Sequence, residues 1–418
     1  MIKISNLTII FIAVVFFPRI LTAMGAPPLI NFLHFPFALF LAGSIIPKIR
    51  TSTSKQFFVG LFILFTTITA SAAVNNAGFL NIILSFLLLA EPFLLIMLMT
   101  SNPILDESIE QVKSWLMIFS FVHIAIIYYQ FFIVRSPDPD DVQGVFIGQG
   151  AGHHVGGAIA LATAIYFFIT YPKLSLWIRT LVAIIFAADI SFSDSKQVLV
   201  VFVLSFVIIV ITKLKNLGEI LKYLAITIVI ICLTYWFAQI AFSSSLSFWG
   251  KDDRIIRGLG VKFSVFSIIN SYYSSPLNWL FGVGPGHSIG RLAWLIPDYQ
   301  QYLQPLGITS YSAVTETIFS VNNTNPLTNK FTGSSMFSLT FSWAGVWGDL
   351  GIVGLGVYLY LWLLVWKTCP DTLSQLFLIT ILVHGAIFSW MEEPGYMLFM
   401  ISLIGIQWQK AQIGTFKT

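Results

Sequence analysis

Charge and cysteine are what this 418-residue chain has least of. Only 10% of its residues are charged, 57% are hydrophobic, and there are two cysteines. So little charge cannot cover a soluble globule of this size, which excludes that class. Cys232 sits within an apolar run and Cys369 at the end of another, which excludes a disulfide framework. Basic tracts are missing too. The net charge of +4 is dispersed along the chain, which argues against a nucleic-acid partner. There is no internal repeat, low-complexity segment or separate soluble domain.

What the chain has instead is apolar runs of about 17–25 residues, the length that crosses a bilayer as a helix. They lie near 6–23, 28–47, 56–75, 79–100, 114–134, 153–171, 175–192, 197–212, 220–241, 338–366, 373–390 and 394–409. The expectation is an all-α integral membrane protein, a polytopic bundle of about 12 transmembrane helices forming one domain over 1–418. Lys3 precedes the first run as in a signal peptide, but the many later runs favour a retained helix.

Basic residues alternate between the two faces. With a cytoplasmic N-terminus, the inner segments receive Lys3, Lys48, Arg50, Lys55, Lys113, Lys173, Arg179, Lys213, Lys215, Lys222, Lys367, Lys410 and Lys417. The short outer segments receive only Arg135 and Lys196, with Arg19 near the outer end of the first run. This alternation places both termini in the cytoplasm. One long hydrophilic interruption, 242–335, then faces outward as a large extracytoplasmic loop. It carries six basic residues, Lys251, Arg254, Arg257, Lys262, Arg291 and Lys330.

Cations on the face that lacks them ask for an anionic partner. In Ser193-Asp194-Ser195-Lys196-Gln197, Asp194 and Gln197 read as an N-cap and its capping-box partner, starting a helix at Ser195. Lys196 then occupies a first turn whose dipole disfavours it, unless an anion binds there. A solvated turn with a snorkelling lysine is the plainer alternative. Arg254 and Arg257, three apart, share one face of a helix and suit phosphate oxygens. For Lys262, contact with lipid headgroups is the competing reading. Gly282-Val283-Gly284-Pro285-Gly286-His287 is neither a P-loop nor a dinucleotide fingerprint, yet Gly284 and Gly286 suit a backbone nest for an anion, or a plain turn. His287 and Arg291 stand at i,i+4, on one face if a helix follows.

His153 and His154 lie at the mouth of the sixth run, after Gly148-Gln149-Gly150-Ala151-Gly152. Adjacent positions diverge by about 100° on a helix, so a metal site is not expected and contacts to sugar hydroxyls or phosphate are. His34, His123 and His384 read as packed structural residues. Glu91 beside Pro92 reads either as a neutral acid serving freed backbone groups or as a proton-relay site. Asp138, Asp140 and Asp141 form an acidic outer turn. Asp189, Glu392 and Glu393 lie at outer helix ends, where one carboxylate is a candidate general base. Loop aromatics such as Trp279 and Tyr299 fit a sugar-stacking platform and an interfacial belt equally.

Taken in order, these motifs resemble a known family. A Gly-rich stretch enters a span, then Ser-Asp-Ser-Lys-Gln follows, then a long outer loop with Arg254, Arg257 and Leu-Phe-Gly-Val-Gly-Pro-Gly. Trp347-Gly348-Asp349-Leu350-Gly351-Ile352-Val353-Gly354-Leu355 closes the series. Over roughly 140–400 this resembles the O-antigen ligase/polymerase superfamily, membrane glycosyltransferases of the GT-C type. The resemblance implies transfer of a glycan from a polyprenyl diphosphate carrier on the outer face of a bacterial inner membrane, with no cofactor or metal. Lys196 stands where the family often has arginine. The family's ligases carry a His-Asn pair where this chain has Ser338-Leu339-Thr340-Phe341-Ser342-Trp343, which favours a repeat-unit polymerase over a ligase. The implied mechanism has Lys196, Arg254 and Arg257, with Arg291, binding the diphosphate, and His287 as general base. Asp194, His153, His154, Gly284, Gly286 and Glu392 complete the expected substrate site. Expected partners are the lipid-linked oligosaccharide, membrane lipid, and a flippase and chain-length regulator of the same pathway. A flippase for the same lipid-linked sugar is the rival class, and a non-catalytic scaffold a third.

Overall fold

The computed structural model describes residues 3–46, 51–101, 106–148, 151–213, 253–328 and 334–416, with positions 49, 228, 232 and 236 besides. Among these residues there is no strand, and every element is helical. In chain order come α1 (Ile4–Phe16), α2 (Pro18–Ala23), α3 (His34–Ile45), α4 (Ser52–Asn75), α5 (Phe79–Ser101) and α6 (Asp106–Tyr129). Next are α7 (Gly152–Thr170), α8 (Leu176–Ala187), α9 (Asp189–Phe192) and α10 (Lys196–Lys213). Then follow α11 (Arg254–Ser271), α12 (Pro276–Phe281), α13 (Arg291–Asp298), α14 (Gln300–Leu303) and α15 (Ser312–Thr324). The chain closes with α16 (Ser342–Lys367), α17 (Thr372–Ile387) and α18 (Pro394–Phe416).

Among the described residues, eight stretches are long and apolar enough to cross a membrane: Ile4–Ala23, Pro28–Ile45, Ser52–Asn75, Phe79–Ser101, Asp106–Val134, Gly152–Thr170, Lys196–Lys213 and Ser335–Lys367. The chain is a multi-pass helical membrane protein. The four remaining expected spans differ for physical reasons. The run 175–192 splits at Ala188 into α8, 12 residues long, and the four-residue α9. α17 has 16 residues, about 24 Å at 1.5 Å per residue. α18 is 23 residues long but carries Gln407, Gln409 and Lys410. The run 220–241 lies outside the described residues except for three isolated positions.

Local chemistry sets several helix ends. Thr51 accepts the Ser54 N–H at 3.0 Å and starts α4. Asp371 and Ser374 form a capping box at the start of α17, with Ser374 N donating to Asp371 Oδ1 at 2.7 Å. Pro18 ends the run of α1 and restarts the chain as α2, leaving Arg19 in that helix's first turn. At the bundle centre stand α5 and α18. From Leu87 to Ser101 every α5 residue is buried, as a helix apolar on all sides must be.

Side-chain bonds sort the loops into two ends. At one end Thr51 reaches Thr100 O, Gln409 reaches Met99 O, and Lys410 pairs with Glu110. At the other, Gly78 N donates to Thr309, Ser195 to His153 O, and Ser342 Oγ to Phe388 O. We call this second end the mouth. Residues 253–328, most of the expected loop, are no bare loop. They fold as helices over the mouth, where Val265, Ile269, Ile289, Val314, Ile318 and Leu339 form a second core. α11 leaves Ile255, Ile256 and Phe263 exposed, as an interfacial helix does.

Candidate active site at the mouth of the bundle

Two glycine motifs far apart in sequence interlock here. α16 breaks at Gly351 (φ 63°, ψ −161°), and α12 ends at Gly282 (φ 71°, ψ −161°), both in a region open essentially to glycine alone. A Cβ on Gly351 would lie 2.6 Å from Leu280 O, and one on Gly282 would fall on Gly348 O. Val283 N donates to Gly348 O at 2.8 Å, and Ser71 Oγ ties Phe281 O and Asp349 O to α4 at 2.6 and 2.8 Å.

This interlock corrects the expectation for Gly284 and Gly286. Their nest already holds an anion, the chain's own Asp349. Gly286 N donates to Asp349 Oδ2 at 2.9 Å, and Ser288 N and Oγ donate to Oδ1 at 2.8 and 2.5 Å. His287 belongs to the same turn. Its Nδ1 donates to Val283 O at 3.1 Å, and its Nε2 meets Thr309 Oγ1 at 2.9 Å. Burial lowers the pKa of His287 as well. With both ring nitrogens engaged, the structure uses His287 to hold the turn, which does not suit a general base.

Arg291 follows this turn and starts α13. Its backbone N–H donates to Glu392 Oε2 at 2.8 Å, and its guanidinium pairs with Glu393. Glu392 Oε1 is buried and has no hydrogen-bond partner among the described residues. Burial pushes the Glu392 carboxyl up to about 8, against the pull of the Arg291 N–H. At neutral pH Glu392 therefore holds its proton.

Arg291 and Glu393 open onto a pocket that Arg19 and His34 also line. Phe32 and Tyr299 stand on its wall, ring centroids 4.4 Å apart and edge to face. Two guanidiniums against one carboxylate leave this pocket positive. His34 Nδ1 lies 2.6 Å from Glu91 Oε1, so the Glu91 carboxyl pairs with a histidine from another helix.

The other expected residues form a second cluster at the mouth. Asp194 Oδ2 meets Lys196 Nζ at 2.8 Å, and Asp194 takes a left-handed conformation, φ 51°. The helix accordingly starts at Lys196, and Gln197 reaches Ser334 and Ser335 instead of closing a capping box. His154 Nε2 lies 3.2 Å from Ser335 Oγ, and His153 Nε2 lies 3.5 Å from Asp140 Oδ1. Burial raises the pKa of Asp140, the nearby His153 opposing it. The Nδ1 atoms of His153 and His154 are buried without a hydrogen-bond partner among the described residues.

The arginine pair lies at the start of α11. Arg257 forms an exposed i,i+4 pair with Asp253 at 2.9 Å. Lys262 does not touch lipid headgroups, as one sequence reading had it. It is 2% exposed, donating to Ser338 O at 2.9 Å and Ile387 O at 3.0 Å, and burial lowers its pKa to about 7.

Sequence reasoning missed Arg19, Asp349 and the His34–Glu91 pair as site residues. Arg19 had a signal: like Lys196, it is a cation near the face where the charge pattern leaves few. Asp349 had one too, a lone acid between glycines in an apolar run. No protein-family model matches the chain, and no curated protein matches it.

Proposed function

We propose that this chain is a polymerase of lipid-linked oligosaccharide repeat units, a metal-independent membrane glycosyltransferase of the O-antigen ligase/polymerase superfamily. In this reading it spans a bacterial inner membrane about twelve times with both termini cytoplasmic. The mouth, with the helices of 253–328 over it, then faces outward, where a polyprenyl diphosphate donor presents its sugar.

The observation that carries the reading is the pocket shared by Arg19 and Arg291, two planar cations at the end of an apolar bundle. Guanidiniums grip phosphate oxygens bidentately and stabilise the charge that develops as a diphosphate leaves. An incoming diphosphate competes with Glu393 for Arg291, so binding and release remain reversible. Glu392, protonated at neutral pH, adds no opposing charge beside it. The Lys196, Asp194, His153 and His154 cluster on the same mouth suits sugar hydroxyls. Arg254 and Arg257 on α11 suit the anionic headgroup layer or the approaching carrier.

Arg291→Ala and Lys196→Ala are expected to abolish polymer in cells while protein levels in the membrane stay intact. Normal polymer from both variants removes the proposal.

A further inference from the structure

A glycosyl transfer needs a group that removes the acceptor's proton, and most candidates at the mouth are already committed. His287 has both ring nitrogens bonded within its turn. Glu392 is protonated at neutral pH. Asp349 is saturated by Gly286 and Ser288. His153 and His154 stand in the other cluster, against Asp140 and Ser335.

His34 is different. It opens α3 and is 5% exposed, yet it lines the pocket that holds Arg19, Arg291 and Glu393. Its Nδ1 is 2.6 Å from Glu91 Oε1, on an α5 residue that is 1% exposed. In the tautomer whose Nδ1 donates to that oxygen, Nε2 is the ring nitrogen with a lone pair to accept a proton. Among the described residues, no hydrogen bond occupies Nε2. Phe35 packs against the ring at 4.1 Å between centroids and holds its orientation. A carboxylate fixing one ring nitrogen while the other faces a reacting group is the working geometry of a histidine base.

We propose that His34, oriented by Glu91, is the general base that deprotonates the acceptor sugar hydroxyl, an inference that rests on the polymerase reading above. The acceptor O–H gives its proton to His34 Nε2 as its oxygen bonds to the anomeric carbon of the donor. The anomeric carbon–oxygen bond to the diphosphate breaks, and its electron pair stays on the phosphate oxygen held by Arg19 and Arg291. The proton leaves His34 for water when the polyprenyl diphosphate departs. His34 is thus a catalytic residue and Glu91 a positioning one.

The test uses the full chain in vesicles with the lipid-linked oligosaccharide that accumulates in cells lacking it. His34→Gln is expected to lower kcat by about a hundredfold or more, the range of a lost general base, while KM for the donor moves by less than about threefold. In His34→Gly, added imidazole restores turnover. Glu91→Gln lowers kcat with KM unmoved. A His34→Gln enzyme within about fivefold of wild-type kcat overturns the assignment and leaves the polymerase reading standing. So does a His34→Gly enzyme that imidazole fails to rescue and that no longer retains the donor. A wild-type chain that extends no donor overturns both.

Discussion

Glu392 and Arg291 are joined by one backbone hydrogen bond, and their chemistry predicts a pH effect on stability. The folded chain holds a proton on Glu392 up to about pH 8, while the unfolded chain releases it near the usual 4.5. Between those values the folded state binds more protons, so its stability falls as pH rises through the window. Glu392→Gln keeps a neutral group there and is expected to flatten this fall, read as melting temperature against pH in detergent. An equally steep fall in the variant contradicts the assignment. Arg19→Ala and Arg291→Ala each remove a charged partner worth about 1.5–3 kcal/mol, so each is expected to weaken polyprenyl diphosphate binding roughly ten- to hundredfold. Titration into vesicles carrying the reconstituted chain measures this, and unchanged affinity in both variants counts against the pocket. At this scale the sequence was only partly legible. Arg291, Glu392 and the Lys196 group stood out because they break the charge pattern. His34 and Glu91 did not, because their partnership joins two different helices.

At the scale of elements, the interlock of α12 with α16 holds the site in shape. Gly351→Ala and Gly282→Ala each force a side chain into a conformation costing about 1–3 kcal/mol, before the steric conflict with Leu280 O or Gly348 O is added. Both variants are expected to lose folded protein from the membrane fraction, seen by size-exclusion chromatography. Gly356→Ala, which meets nothing within 4 Å, serves as the neutral comparison. Losses no greater than that of Gly356→Ala would show that the interlock is dispensable. Both glycine motifs were visible in the sequence, and their order carried the family resemblance. That each was the other's partner was not visible, because Asp349 and Gly286 are 63 residues apart and local periodicity cannot encode such a contact. The same limit explains why the Gly284–Gly286 nest reads from sequence as a ligand site: its anion comes from a later helix.

For the whole molecule, long apolar runs made the membrane class legible, since composition and length decide it. Span ends were less so, because Pro18 and Ala188 interrupt runs that hydropathy alone reads as continuous. The two ends of the bundle make sidedness testable. In a Cys232→Ser background, Gln300→Cys at the mouth is expected to react with an impermeant thiol reagent outside intact spheroplasts. Lys173→Cys is expected to react only after the membrane is opened, and the reverse pattern inverts the topology. The central claim is transfer itself. The most direct measurement is electrophoresis of the products formed when the reconstituted wild-type chain meets lipid-linked repeat units and nothing else. A ladder of products spaced by one repeat unit is expected, with polyprenyl diphosphate released in step. Substrate that changes sides of the vesicle but keeps its length would contradict it.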